Sequence, residues 1–158
     1  MSGTVAIRAA GAEETDEVIA LYDWLFDPPG GPPPDWDPAA AGARLRAAID
    51  GEDSIVLVAD AGDSALAGFC TAYIDLLSVR YGLRCWVEDL AVDPGRRSQG
   101  IGAALLAAGR DWAREHGATH FELDSGLARE DAHRFYERDG GGSRGISFQW
   151  WLGWEQAS

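Results

Sequence analysis

Residues Val87–Leu106 read VEDLAVDPGRRSQGIGAALL. An apolar run, Leu90-Ala91-Val92, stops at Asp93-Pro94-Gly95, which is strong turn punctuation. Arg96 and Arg97 follow, then Gly100-Ile101-Gly102, then an alanine- and leucine-rich helical pattern. The stretch reads as strand, tight glycine-rich loop, helix. Such a loop aims several backbone N–H groups at one point, at the positive end of a helix dipole. That is an anion site suited to a phosphate. Glycine matters because a side chain there would hold the anion away from the backbone.

The loop is not a Walker loop, because no Gly-Lys-Ser/Thr follows. It is a poor dinucleotide fingerprint as well, since Leu105 stands where the third glycine belongs. Arg97-Ser98-Gln99-Gly100-Ile101-Gly102 instead fits Arg/Gln-x-x-Gly-x-Gly/Ala. With the preceding Glu88-Asp89-Leu90-Ala91-Val92-Asp93-Pro94, it resembles the acetyl-CoA pyrophosphate loop of the GNAT superfamily of N-acetyltransferases. The plainer alternative is an ordinary strand-to-helix turn carrying two solvated arginines.

A chain of 158 residues is expected to form a single domain, 1–158, with a real core. Hydrophobic residues are 46% and charged residues 25%, the balance of a soluble globular protein. No apolar run approaches the roughly 20 residues of a membrane span. The N-terminus lacks a basic segment followed by an apolar one, so a cytoplasmic protein is expected. With only Cys70 and Cys85, neither a disulfide framework nor a zinc site is indicated, and no metal is expected. The formal net charge of −13 argues against nucleic acid and anionic membranes as partners. It suits a cationic acceptor, or solubility alone. All 13 basic residues are arginine, which we read as coding bias.

Along the rest of the chain, Val5–Arg8 is a strand candidate. Val18, Leu21, Tyr22 and Leu25 fall at helical spacing within Glu13–Phe26. The run Asp27-Pro28-Pro29-Gly30-Gly31-Pro32-Pro33-Pro34 ends that helix and reads as an exposed loop. With Trp36 it could wall a site. A second helix is predicted over Pro38–Ile49, with Pro38 at a favoured first position. Ser54–Ala59 and Leu66–Ile74 form a hairpin. Leu76–Leu83 is ambiguous, and Arg84–Val92 is the strand that feeds the loop. The helix after the loop sets Ile101, Leu105, Ala108 and Trp112 on one face and stops at His116-Gly117. Thr119–Leu123 is a strand, Arg129–Asp139 a helix and Ile146–Trp154 a last, aromatic strand. The order β-α-α-β-β-β-α-β-α-β indicates an α/β (α+β) mixed sheet with helices on its faces. It is also the order that the GNAT resemblance implies, with about six to seven strands and about four helices.

Ala132, Phe135 and Tyr136 share a helical face in Ser125–Arg138. This run looks like the GNAT helix whose tyrosine serves as general acid, and Tyr136 takes that place. Two departures stand out: Arg129 lies where many relatives carry asparagine, and Asp139-Gly140-Gly141 where many carry Leu-Gly-Phe. The resemblance implies that acetyl-CoA is the co-substrate. A backbone N–H near Leu90, in the segment Leu90-Ala91-Val92, would face the thioester carbonyl as an oxyanion donor. The N–H groups of Gln99, Gly100, Ile101, Gly102 and Ala103 would hold the pyrophosphate, with Arg97 and Ser98 alongside. Tyr136 would protonate the leaving thiolate. A phenol near pKa 10 giving its proton to a thiolate near 8.5 is uphill by roughly 2 kcal/mol, small beside an enzymatic barrier. The alternative is a core tyrosine.

Glu88 is the best candidate for the base that deprotonates the amine. Simple alternation puts it on the face of Leu90 and puts Asp89 on the other, unless a bulge intervenes. It could equally be an inert strand-edge carboxylate, with a water chain from another acid in its place. His133 is a weaker candidate, and His116 and His120 read as structural. Trp150, Trp151 and Trp154 read as core and sheet packing, or as a homodimer surface or acceptor-site wall. The function expected is acetyl transfer from acetyl-CoA to a primary amine of a small acceptor, a cationic one on one of the two readings of the net charge, by direct attack in a ternary complex. The rivals are acetylation of a protein N-terminus or lysine, and a non-catalytic acyl-CoA sensor.

Overall fold

The structure is a computed structural model that describes residues 4–63, 65–150 and 152. The chain divides into two compact units, residues 1–123 and 124–158.

The first unit is a five-stranded sheet in the order β1-β2-β3-β4-β5: Ala6–Ala9, Ser54–Asp60, Leu66–Ser78, Gly82–Val92 and His120–Leu123. The first four strands are antiparallel neighbours, and β5 joins β4 in parallel. The sheet is therefore mixed, as the element order predicts. Among the described residues it has five strands, fewer than the six to seven expected. The ambiguous Leu76–Leu83 stretch resolves as the far end of the β3–β4 hairpin, paired as far as Ser78 opposite Gly82.

Helices cover both faces. The predicted single helix over 13–26 is in fact three pieces: a 3₁₀ turn at Ala12–Glu14, α1 (Thr15–Ala20) and α2 (Tyr22–Phe26). At the break, i→i+3 bonds replace the α-helical pattern: Leu21 N–H donates to the Val18 carbonyl and Trp24 N–H to the Leu21 carbonyl, both at 3.0 Å. Helix α3 spans Pro38–Asp50, with the Asp37 carboxylate accepting the Ala39 N–H at 3.0 Å. Val18, Leu45, Val56, Val58 and Phe69 form the core beneath these helices. Helix α4 (Ile101–Glu115) covers the opposite face. Its buried residues are Ile101, Leu105, Leu106, Gly109 and Ala113, a stripe rotated slightly from the expected one. Gly109 packs closely there: a Cβ would stand 3.3 Å from the Phe121 ring, which would have to give by a few tenths of an ångström. The helix stops at His116 and at Gly117, whose φ of 81° is the left-handed conformation that ends helices.

Because both faces are covered, Val56-Leu57-Val58-Ala59 of β2 is buried without alternation. Each large aliphatic or aromatic side chain buried in this way stabilises the fold by about 1.5–3 kcal/mol relative to exposure. Strand β1 is fastened through Arg8, which forks onto Glu14 at 2.7 and 2.8 Å and also reaches Asp60 at 3.1 Å. Cys70 and Cys85 are free and fully buried.

In the second unit, α5 (Glu130–Arg138) is the one regular element among the described residues. The strand expected over Ile146–Trp154 does not form at 146–150 or 152; Trp151, Gly153 and Trp154 lie outside the described residues. Ile146, Phe148, Trp150 and Leu152 have the period-two pattern of a strand but are 66%, 78%, 77% and 90% exposed. A strand exists by pairing, and this unit offers it no strand partner among the described residues. Trp150, expected to pack in a core or sheet, is among the exposed residues.

Candidate active site

The site begins in β4. Thr71 of β3 stands opposite Asp89, and the next residue, Ala72, stands opposite Val87. Glu88 is thus an extra residue in β4, a β-bulge. Simple alternation fails there, and the expectation for Glu88 is corrected. Residues opposite one another share a face, so Val87 goes with Ala72, and Leu90 with Cys70, on the face of α4. Asp89 goes with Thr71 on the other face, beneath α1–α3. Glu88 is exposed, and its Oε2 accepts the Trp86 Nε1–H at 2.6 Å, which draws it to the side of Trp86 and Asp89 rather than that of Leu90.

The ladder fixes where the backbone of β4 points. Asp93 N–H donates to the Ala67 carbonyl at 2.8 Å. Counting back by alternation, Ala91 lies on a bonded rung with Phe69, while Leu90 and Val92 lie on open rungs with Cys70 and Gly68. The N–H groups of Leu90 and Val92 therefore point away from β3, toward the β5 side. Strand β5 pairs only with Arg84–Val87, ending at Leu123 opposite Val87. No β5 residue stands opposite Leu90 or Val92, so their edge N–H groups face a gap in the sheet. Ala91 turns its buried methyl inward and its N–H to β3.

The strand ends in the loop. The Asp93 carboxylate accepts the Gly95 N–H at 2.8 Å, and a 3₁₀ turn, Pro94–Arg96, follows. Ser98 and Gly100 are left-handed, at φ 65° and 80°. Gly100 caps α4 with no side-chain hydrogen bond, and no acid lies in the first turn. The first N–H groups of α4, at Ile101, Gly102 and Ala103, thus lack intrahelical acceptors and a side-chain cap at Gly100. A Cβ at Gly100 would meet nothing within 4 Å, so the space before the helix is open. Arg97, Ser98, Gln99 and Gly100 are all exposed around it, and Arg96 is half-buried. The cradle fits a pyrophosphate: free donors, a helix dipole, two nearby guanidinium groups and room.

A hydrogen-bonded network that residue spacing does not display lies beneath the bulge. Tyr22 Oη–H donates to Asp89 Oδ2 at 2.6 Å, and Thr71 Oγ1 accepts the Asp89 N–H at 3.1 Å. Burial, with the neighbouring Glu88 charge, pushes the Asp89 carboxyl above its ordinary value, against the Tyr22 and Thr71 hydrogen bonds. Burial also raises the Tyr22 phenol, which stays a donor. Tyr22 packs on Phe69, Trp36 and Phe26 at centroid distances of 4.7, 5.6 and 5.9 Å. Trp36 also borders a hollow of about 410 Å³ whose lining includes Asp16, Ile19 and Asp23. The signal for this network was an acid next to a bulge, which alternation alone cannot reveal.

In the second unit Tyr136 is half-buried, with its ring 5.2 Å from that of Phe135. His133 Nε2 lies 2.9 Å from the Gly126 carbonyl, so that nitrogen carries a proton and ties the helix to its loop. His116 and His120 make local contacts, to the Trp112 carbonyl and the Thr119 hydroxyl. Among the described residues no group of three or more His, Cys, Asp or Glu could hold a metal ion. No helix among them is long and apolar enough to cross a membrane.

The sequence model of the acetyltransferase (GNAT) family matches residues 16–141. The uncharacterized N-acetyltransferase YhdJ of Bacillus subtilis is 40% identical over 93 residues, which are 59% of this chain and 64% of that protein. Streptothricin acetyltransferase of Streptomyces lavendulae is 34% identical over 105 residues, 65% of this chain and 53% of that protein. Both alignments span less than two thirds of the relative's length. Among solved structures, an aminoglycoside N-acetyltransferase in complex with CoA superposes with a TM-score of 0.79 at 17% identity, over 94% of this chain and 95% of that one. At that identity the likeness concerns the fold.

Proposed function

The chain belongs to the acetyltransferase (GNAT) family, and we propose that it moves acetyl from acetyl-CoA to a primary amine of a small, cationic acceptor. The observation that carries this reading is the pairing of an open α4 N-terminus with two edge N–H groups of β4 that face a gap in the sheet. Arg97, Ser98, Gln99, Gly100, Ile101, Gly102 and Ala103 would hold the pyrophosphate, and the edge of Leu90-Ala91-Val92 would receive the extended pantetheine arm. Acetyl-CoA brings an activated acyl group and a thiolate leaving group. The Leu90 N–H is the donor for the developing oxyanion.

Glu88, exposed on the Trp86 side of β4, would take the proton of the attacking amine, directly or through water. The bulge separates the roles: the oxyanion donor lies at the strand edge, and the base stands on a face. Tyr136 would protonate the thiolate in a ternary complex. The cationic acceptor is supported by the net charge of −13 and by Asp16 and Asp23 at the hollow beside Trp36. The name of the streptothricin acetyltransferase relative agrees with a small-molecule acceptor. A single domain over 1–158 is part of the same reading.

The test is CoA binding by calorimetry. Wild type should bind CoA, and Gly100→Glu should abolish binding by putting bulk and negative charge at the phosphate. Undiminished affinity in a folded Gly100→Glu protein would overturn the loop assignment.

A further inference from the structure

The bulge in β4 is held by a side chain from another layer. Tyr22, on α2, reaches across to Asp89 on β4, 67 residues away in sequence, and bonds it at 2.6 Å. Asp89 is the residue immediately after the extra Glu88, and its N–H turns to the Thr71 side chain at 3.1 Å. Thr71 Oγ1 also stands 3.5 Å from Asp89 Oδ2, and Thr71 is only 1% exposed. One buried hydroxyl and one phenol therefore clamp the kink. The phenol cannot swing away freely, because its ring packs on both Phe69 and Trp36. Directly beyond Asp89 comes Leu90, whose N–H leaves β3 for the sheet gap. Directly before it comes Glu88. A shift at Asp89 moves both.

We propose that the Tyr22–Asp89 hydrogen bond is a positioning device for acetyl transfer, fixing the β4 bulge and with it the Leu90 N–H and the Glu88 carboxylate. The proposal rests on the acetyl-transfer reading. It gives Asp89 no proton-transfer role: its carboxylate acts through Tyr22 and the backbone. The pyrophosphate loop follows in sequence only after β4 ends, so the clamp does not bear on that part of co-substrate binding.

Three variants and two measurements test this. Tyr22→Phe keeps the ring and removes the donor; kcat should fall by about 10–10²-fold, the range for a reacting group displaced by an ångström or less. The KM for acetyl-CoA should rise by less than the factor by which kcat falls, the split expected when the transition state loses more support than the bound co-substrate. Asp89→Asn keeps an oxygen that can accept from the phenol, and should retain kcat within about threefold, whereas Asp89→Ala should fall as far as Tyr22→Phe. The second measurement is amide hydrogen exchange at Asp89, whose N–H is bonded to Thr71 Oγ1; it needs no turnover. Exchange should accelerate in Tyr22→Phe and Asp89→Ala and stay near wild type in Asp89→Asn. Equal collapse of kcat in Asp89→Asn and Asp89→Ala would show that the charge itself is needed, overturning the positioning role. Unchanged exchange in Tyr22→Phe would overturn it too. A wild type that transfers acetyl to no amine would sink the acetyl-transfer reading instead, and the exchange data would still decide whether the clamp holds the bulge.

Discussion

At the scale of single residues, Tyr136 and the two cysteines give opposite expectations. If Tyr136 protonates the leaving thiolate, Tyr136→Phe should lower acetyl transfer by roughly 10²–10⁴, the span of a positioned general acid. CoA binding and thermal stability should change little, because the ring stays. A variant as fast as wild type would remove the phenol from the chemistry. Cys70 and Cys85 are fully buried, and burial pushes their thiols up to about 12 and about 11. Neither is a thiolate near neutral pH, so Cys70→Ala with Cys85→Ala should keep transfer while losing stability to the small cavities left behind. Loss of turnover in a folded double variant would instead argue for an acyl-cysteine. Residues of this kind were legible in the sequence because their chemistry depends on type and place. The place of Asp89 in a hydrogen-bonded network was not, because its partner Tyr22 lies 67 positions away.

At the scale of elements, the α4 helix shows why some boundaries could be read and others could not. Its start at Ile101 and its stop at His116-Gly117 follow from glycine positions, which the sequence displays. The bulge at Glu88 follows from a register slip against Thr71-Ala72, which only the pairing displays. The break at Leu21 is of the same kind, since helical spacing runs through it unchanged. Strand β1 offers an elemental prediction. The Glu14 carboxyl is held down from 4.5 to about 2, first by the Arg8 hydrogen bond and then by the Gly11 N–H. A depressed carboxylate pKa contributes stability above its unfolded value, and this is lost as pH falls through the folded one. The Tm difference between wild type and Glu14→Gln should therefore be full above about pH 4.5 and vanish near pH 2. A difference that persists unchanged at pH 2 would contradict this pairing.

At the scale of the whole molecule, the mixed sheet with helices on both faces was readable from element order, and the family match across 16–141 agrees with it. The strand expected over Ile146–Trp154 does not form at its described residues: Ile146, Phe148 and Trp150 alternate as strand residues do, and alternation does not supply a partner. The loop proposed to hold the phosphates is readable as glycines and arginines; the gap beside Leu90 and Val92 depends on the length of β5. Together the cradle, the Leu90 edge, Glu88 and Tyr136 make one central claim, that the protein is a catalyst of acetyl transfer and not only a holder of CoA. The measurement that tests it most directly is thiol release from acetyl-CoA by the purified protein across a panel of amines, antibiotics and peptides, followed as kcat/KM. The account predicts amine-dependent thiol release for at least one small cationic amine, abolished in Gly100→Glu. Tight CoA binding with no amine-dependent release from any acceptor would contradict it.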